Sequence, residues 1–240
     1  MCMSVLKSVF EQFSKVLFCS RCRICGEVVE IDHDLCGECQ TLERIEIPYC
    51  IHCGCSKTDC TCKNKKNEYK QIAAVYYYKD SIIRAVSNFK NNDMPFLAEN
   101  MADEIYSLVQ EVYCDIDFDY ITYVPLRKFR LLKRGFNQSQ LIADTLSKRL
   151  DVEVIGLLSK VRYTGVQHHK SARERSADVF GAYDVIDEYK YKLDGKTILL
   201  IDDVKTTGST LNECAKMLKI YGAKNVYAAA FAATKKETEL

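Results

Sequence analysis

Residues 196–211 read KTILLIDDVKTTGSTL, and the fold of the chain turns on them. Residues 197–201 form a continuous apolar run rich in β-branched side chains, the pattern of a strand buried on both faces. At its end stand two adjacent carboxylates, Asp202 and Asp203, then a hydroxyl-rich turn of Thr206, Thr207, Gly208, Ser209 and Thr210. Beyond the turn, Leu211, Cys214, Ala215, Leu218 and Tyr221 recur at helical spacing. Strand, acidic pair, small-residue turn and helix, in that order, predict a ligand site at the carboxyl end of a parallel strand. The turn would aim backbone N–H groups and hydroxyls at one anion, and the helix dipole would add to them. Gly208 lets the backbone approach that anion with no side chain in the way. Acids beside an anion site suit a ligand carrying both a phosphate and vicinal hydroxyls, because carboxylates accept hydrogen bonds from sugar OH groups. An isolated Asp-Asp pair would fit an ordinary strand–helix corner; here the whole loop is in register with it. A Walker B strand would need a G-x-x-x-x-G-K-[ST] loop elsewhere. None of the ten glycines supplies one, nor a G-x-G-x-x-G, so triphosphate-loop and Rossmann readings fall away.

These residues closely resemble the signature of type I phosphoribosyltransferases, in which an apolar strand leads into an acidic pair and a T-T-G-x-T loop. The resemblance implies that Asp202 and Asp203 hold the ribose hydroxyls of phosphoribosyl pyrophosphate (PRPP). It also implies that residues 206–210 hold the 5′-phosphate, and that Mg2+ accompanies the pyrophosphate.

At 240 residues the chain has room for one substantial domain and a small one. A formal net charge of +1 says nothing by itself about an acidic partner. No run approaches eighteen apolar residues, so no membrane span is expected. Residues 1–18 show helical periodicity (Val5, Leu6, Val9, Phe10, Phe13, Val16, Leu17) interrupted by Lys7, Glu11, Gln12 and Lys15. That is the pattern of an amphipathic helix packing on the protein itself, not a signal peptide. Of thirteen cysteines, eleven precede Lys63. They come in C-x-x-C pairs without an export signal, which points to metal ligation in a reducing cytoplasm.

Cys22, Cys25, Cys36 and Cys39 form two knuckles separated by ten residues, a spacing that can close a tetrahedral shell around structural Zn2+. Four sulfurs would leave no open position for catalysis. Cys50 and Cys53 repeat the knuckle, and with Cys60 and Cys62 they make the preferred second set. Cys55 or His52 could replace one member, and a cross-braced pairing of the two sites also fits the spacing. A polar, charged linker at residues 63–67 marks the expected boundary between a zinc-ribbon domain (1–66) and a larger domain (67–240).

In the larger domain, residues 72–78 read as a strand and residues 81–89 and 96–113 as helices. Tyr76 and Tyr78 share one strand face, for which core packing is the commoner reason. Residues 120–124 read as a second apolar strand. After it come five basic residues, Arg127, Lys128, Arg130, Lys133 and Arg134, before a helix at 139–150. Open α/β sheets place ligand loops at such strand ends, and a pyrophosphate needs cations nearby, so a polyanion role is expected. Residues 160–181 are long, polar and basic (Arg162, Lys170, Arg173, Arg175), as a functional loop would be. The neighbouring His168 and His169 are read as solvated. A last strand is expected at residues 225–232.

Four blocks together resemble one family, the ComF-type (competence protein F) phosphoribosyltransferase-like proteins. They are the knuckles at residues 22–39, VPLRKFRLLKRGFNQSQ, RYTGVQ…RERSADVFGAY and ILLIDDVKTTGSTL. RGFNQ is the most specific block, because general phosphoribosyltransferases lack it. The resemblance implies an α/β type I phosphoribosyltransferase fold, a parallel sheet flanked by helices, preceded by a small zinc ribbon. It also implies a role in DNA uptake during natural transformation. Asp178, Tyr183 and Lys205 depart from the family pattern without removing a phosphate or ribose ligand. The leading expectation is a cytoplasmic competence factor that binds a PRPP-like phosphosugar and assists handling of single-stranded DNA. In it Arg127 meets pyrophosphate, while Arg130, Lys133, Arg134, Arg162, Arg173 and Arg175 are candidates for the nucleic acid. The alternatives are an active transferase, with Asp202, Asp203 and Arg127 at its centre and an unknown acceptor, and a non-catalytic scaffold whose zinc ribbon docks a competence helicase or channel partner.

Overall fold

The computed structural model describes residues 20–62, 66–91, 94–161 and 181–235. The expected N-terminal helix and Arg162, His168, His169, Lys170, Arg173 and Arg175 lie outside the described residues. In chain order the elements are α1 (Gly37–Gln40), β1 (Gln71–Tyr77), α2 (Asp80–Asn91), α3 (Leu97–Val112) and β2 (Tyr120–Tyr123). They continue with α4 (Lys128–Arg134), α5 (Gln138–Leu150), β3 (Leu158–Lys160), β4 (Tyr183–Val185), β5 (Thr197–Lys205), α6 (Ser209–Ile220) and β6 (Asn225–Ala233). Four strands make one sheet in the order β1-β6-β5-β2, and every pair is parallel. β3 and β4 form a separate antiparallel ribbon.

β5 shows why the sheet is sandwiched between helices. Its residues alternate between two cores, as a strand's period of two requires. Ile198 and Leu200 pack with Leu211, Cys214, Ala215 and Leu218 of α6. Leu199 and Ile201 face the other way, into a core that includes Ile142, Ala143 and Leu146 of α5 and Met101 and Ile105 of α3. β6 is almost wholly buried and carries alanine at 228, 229 and 230, small enough for layers to close over both its faces. β2 leads into α5 on one face of the sheet and β5 into α6 on the other. The carboxyl ends of these adjacent strands therefore form a switch point, where open α/β sheets place their ligands.

Two elements differ from the sequence reading. β5 does not stop at Ile201: Asp202, Val204 and Lys205 remain paired with Ala230, Ala232 and Ala233, so the acidic pair lies within the strand. The basic stretch after β2 is the short helix α4 rather than a loop, although none of its residues is buried. The cysteine-rich segment covers the β1 edge. Ile45 N–H donates to the Val75 carbonyl and Ile72 N–H to the Ile51 carbonyl. Cys22, Cys25, Cys39 and Ile45 share a core with residues of the sheet and of α2 and α3. Tyr76 is buried, edge-on to Phe231 at 5.4 Å, with its hydroxyl on Glu104, so this tyrosine packs rather than stacks a ligand. No helix among the described residues is long and apolar enough to cross a membrane.

Candidate phosphosugar site and cysteine clusters

Asp202 and Asp203 are both buried, at 9% and 7% exposure, at the end of the central strand pair. Asp202 Oδ1 accepts from Ser139 Oγ and from the Asp203 N–H, each at 3.0 Å. Asp203 Oδ1 accepts from the Val204 N–H at 2.8 Å, and its Oδ2 pairs with Lys90 Nζ at 2.5 Å. Burial pushes the Asp202 carboxyl up to about 7, and the neighbouring Asp203 carboxylate adds to it. Lys90 and the two hydrogen bonds pull the other way. The arrangement holds one carboxylate against a cation and the second close to neutrality, so a ligand with hydroxyl donors meets two acceptors of different character.

The turn that follows is pinned by its own hydroxyls. Thr207 Oγ1 and Ser209 Oγ lie 2.9 Å apart, and the Ser209 N–H donates to Thr207 Oγ1. Gly208 sits in the left-handed region (φ 79°) as the residue that starts α6, a conformation that favours glycine. The first N–H groups of a helix have no intrahelical partners, and those of α6 open at this turn.

The RGFNQS stretch is a brace for the same corner. Asn137 caps α5 by accepting from the Ser139 N–H, while its Nδ2 donates to the Val124 carbonyl at the end of β2. Asn137, Gln138 and Ser139 are all buried, and Ser139 reaches Asp202 from this capped turn. Phe136 packs on Phe89 at 5.8 Å. Gln138 accepts from Arg134 at 3.2 Å, and its buried Nε2 has no hydrogen-bond partner among the described residues.

The cations of α4 divide. Arg127, which starts the helix, and Arg134, near its end, are partly buried, whereas Lys128, Arg130 and Lys133 are exposed. Burial and the Arg130 charge hold the Arg134 guanidinium below its ordinary range, against attraction from Asp203. Facing them is Lys160 on β3, whose Nζ meets the Tyr183 hydroxyl at 2.9 Å and lies 4.7 Å from that ring's centroid. Burial, then Arg127 and Arg130, hold the Lys160 ammonium down. Burial, then Cys214 and Asp202, push the Tyr183 phenol up, while a hydrogen bond with Thr210 pulls it back. The β3–β4 ribbon thus brings a cation and a phenol to the turn at residues 206–210.

The cysteines gather as two separate tetrads. Cys22, Cys25, Cys36 and Cys39 form one and Cys50, Cys53, Cys60 and Cys62 the other, with the sulfurs of each tetrad within 4.8 Å of one another. Four thiolates around Zn2+ at about 2.3 Å lie roughly 3.8 Å apart. The Cys25–Cys36, Cys50–Cys62 and Cys53–Cys60 sulfurs stand 3.6, 3.5 and 3.6 Å apart, so both tetrads fit structural zinc. The pairing is not cross-braced. Cys55 stays outside its tetrad, its sulfur 3.9 Å from the Thr234 carbonyl oxygen, and His52 contributes its carbonyl to other partners.

Comparison with known proteins bears on this geometry. Residues 137–240 match the phosphoribosyl transferase domain model. Competence protein F of Haemophilus influenzae is 28% identical over 87% of this chain and 93% of its own length. The DNA utilization protein YhgH of Salmonella typhimurium is 28% identical over 85% of this chain and 93% of its own. The chain is similar to these proteins over most of its length. Among solved structures, glutamine PRPP amidotransferase from B. subtilis is similar at 19% identity and a TM-score of 0.41, over 60% of this chain and 30% of that one.

The structure brings Asp202, Asp203 and residues 206–210 together, with Arg127 at the same switch point. Three participants escaped the sequence reading. Lys90 carried no motif, since it is one cation in the last turn of a helix. Ser139 is an ordinary first-turn residue until the fold sets it against Asp202. Lys160 opens a long basic stretch in which nothing local sets it apart from the other cations.

Proposed function

We propose that this protein acts as a ComF-type protein, binding a PRPP-like phosphosugar at the carboxyl end of β5 and serving in the handling of single-stranded DNA during competence. The carrying observation is the buried Asp202–Asp203 pair beside the hydroxyl-lined turn at a topological switch point. The acids would accept the vicinal ribose hydroxyls, and the Thr206–Thr210 groups with the first N–H groups of α6 would meet the 5′-phosphate. Mg2+ bound with the pyrophosphate would neutralise its charge; among the protein's own groups, Arg127 and Lys160 stand where that charge would lie. The names of its relatives, a competence protein and a DNA utilization protein, support the DNA role, and so does the exposure of Phe129, at 76%, among exposed cations on α4. Exposed aromatics between cations suit base stacking beside phosphate contacts.

A second reading is phosphoribosyl transfer, favoured by the cations opposite the acidic pair. The C1–oxygen bond to pyrophosphate would break as an acceptor bonds to C1, the protein supplying position and electrostatics. Calorimetric titration with PRPP and Mg2+ tests the site. Asp202→Asn together with Asp203→Asn should weaken binding by about 1–3 kcal/mol, the scale of hydrogen bonds to charged groups. Unchanged affinity overturns the assignment. Pyrophosphate release assayed against bases and nucleic acids separates an enzyme from a binding protein.

A further inference from the structure

The two cysteine tetrads hold different things. The first grips the helices: Asn88 Nδ2 of α2 donates to the Cys25 carbonyl at 2.7 Å. The second lies behind the phosphate turn. Between its ligands Cys50 and Cys53, the His52 carbonyl accepts two hydrogen bonds, from Tyr69 Oη and from Asn67 Nδ2, both at 2.8 Å. Tyr69 is 4% exposed, and its hydroxyl lies 3.3 Å from the place where a side chain on Gly208 would begin. The preceding residue, Glu68, donates its N–H to Asn212 Oδ1 at 2.7 Å, and the Asn212 N–H closes on the Gly208 carbonyl. On the other flank, Cys55 faces the Thr234 carbonyl. Thr234 N–H donates to the Lys205 carbonyl, and Thr234 Oγ1 to the Thr206 carbonyl at 3.0 Å.

We propose that the second tetrad positions the phosphate turn, and that Tyr69 is the positioning residue through which it acts. Four ligands on one ion fix the knuckle backbone and therefore the direction of the His52 carbonyl. That carbonyl fixes the Tyr69 hydroxyl, and the phenol supports the backbone at Gly208. A turn that must aim several N–H and OH groups at one phosphate binds best when it is already arranged, because ordering it on binding costs affinity. Among the described residues, the hydrogen bond from the first tetrad leads instead through Asn88 to α2, whose Lys90 pairs with Asp203 rather than with the turn. The ligand part of this proposal rests on the phosphosugar reading above; the mechanical part does not.

The test uses the full chain and two measurements: amide hydrogen exchange across residues 206–212 without ligand, and calorimetry with PRPP and Mg2+. Tyr69→Phe keeps the ring and removes only the hydroxyl. It should retain both zinc ions, speed exchange in the turn, and weaken PRPP binding roughly threefold to tenfold, the effect of one hydrogen bond. Cys60→Ser should lose the second ion and speed the same amides. Combined with Tyr69→Phe it should give less than the product of the two effects, because both act on one line. Cys36→Ser, in the first tetrad, should leave exchange in the turn at the wild-type rate. Wild-type exchange in Tyr69→Phe overturns the proposal, as does equal quickening by the Cys36 and Cys60 variants. Coupled exchange without any PRPP binding by the wild type would sink the phosphosugar reading and leave the mechanical coupling standing.

Discussion

The carboxyl end of β5 and the helix α4 both put charge at one edge of the sheet, and they are built in opposite ways. Asp202 and Asp203 are buried and held by Ser139, by backbone N–H groups and by Lys90. On α4, Arg130 and Lys133 are exposed, with Phe129 and Leu132 at 76% and 84% exposure beside them. A buried charge is kept only where its surroundings specify it, because desolvation is costly. An exposed charge costs little and specifies little. The first pattern suits one ligand in one pose, the second a polymer of phosphates met in many registers.

Removing the cation from the buried side should give the largest effect. Lys90→Met leaves two adjacent carboxylates without their counter-charge, at a cost of roughly 2 kcal/mol. This is below the range for a fully buried pair because Lys90 keeps 27% of its side chain exposed. Urea midpoints should show the loss at pH 8 and little of it at pH 5, where the pair can hold a proton. Equal losses at both pH values would mean that Lys90 acts by packing.

Asp202→Asn should move stability the other way. The folded protein raises this carboxyl to about 7, so the native state binds a proton that the unfolded chain releases near pH 4. Wild-type stability on this account is full below about pH 4, falls as pH rises toward 7, and stays lower above it. The asparagine variant escapes that fall, and should exceed the wild type by on the order of 2 kcal/mol at pH 8 while matching it at pH 4. Parallel melting curves at the two pH values check the sign. A variant less stable at pH 8 would show that the carboxylate is better solvated than its burial implies.

The exposed side should give the smallest effect on folding and a large one on binding. Replacing Arg130, Lys133 and Arg134 by Gln should change stability by no more than about 1 kcal/mol, most of it from Arg134, which is partly buried and donates to Gln138. If all three meet phosphates, the salt dependence of single-stranded DNA binding should flatten by about two units, at roughly 0.7 per contact. PRPP affinity should change far less. An unchanged slope, or no DNA binding by the wild type at low salt, removes α4 from the nucleic-acid role.

What the sequence disclosed, and what it hid, follows the same division. β5 and α6 announce themselves because burial imposes periodicity on their side chains. The knuckles announce themselves because one metal ion imposes spacing on four sulfurs. α4 buries nothing, so no periodicity marks it as a helix. The strand continuing through Asp202 to Lys205 is a property of its partner β6, whose Ala230, Ala232 and Ala233 supply the pairing. Lys90 and Ser139 reach the acids from α2 and α5, and such contacts leave no local trace. The His52 carbonyl is still harder to foresee, since every residue has a carbonyl and only the fold says which one holds a tyrosine.

The strand order has a consequence for how the molecule is made. β6 comes after every other described strand in the chain, yet it lies between β1 and β5. Until it emerges from the ribosome, the β1 and β5 edges each face an empty lane, and the two halves of the sheet share no backbone pairing. Open edges of this kind invite pairing with other chains. The buried alanine-rich segment that fills the lane would then be a keystone in time as well as in space, and a nascent chain stalled just before residue 225 should be the species that chaperones hold.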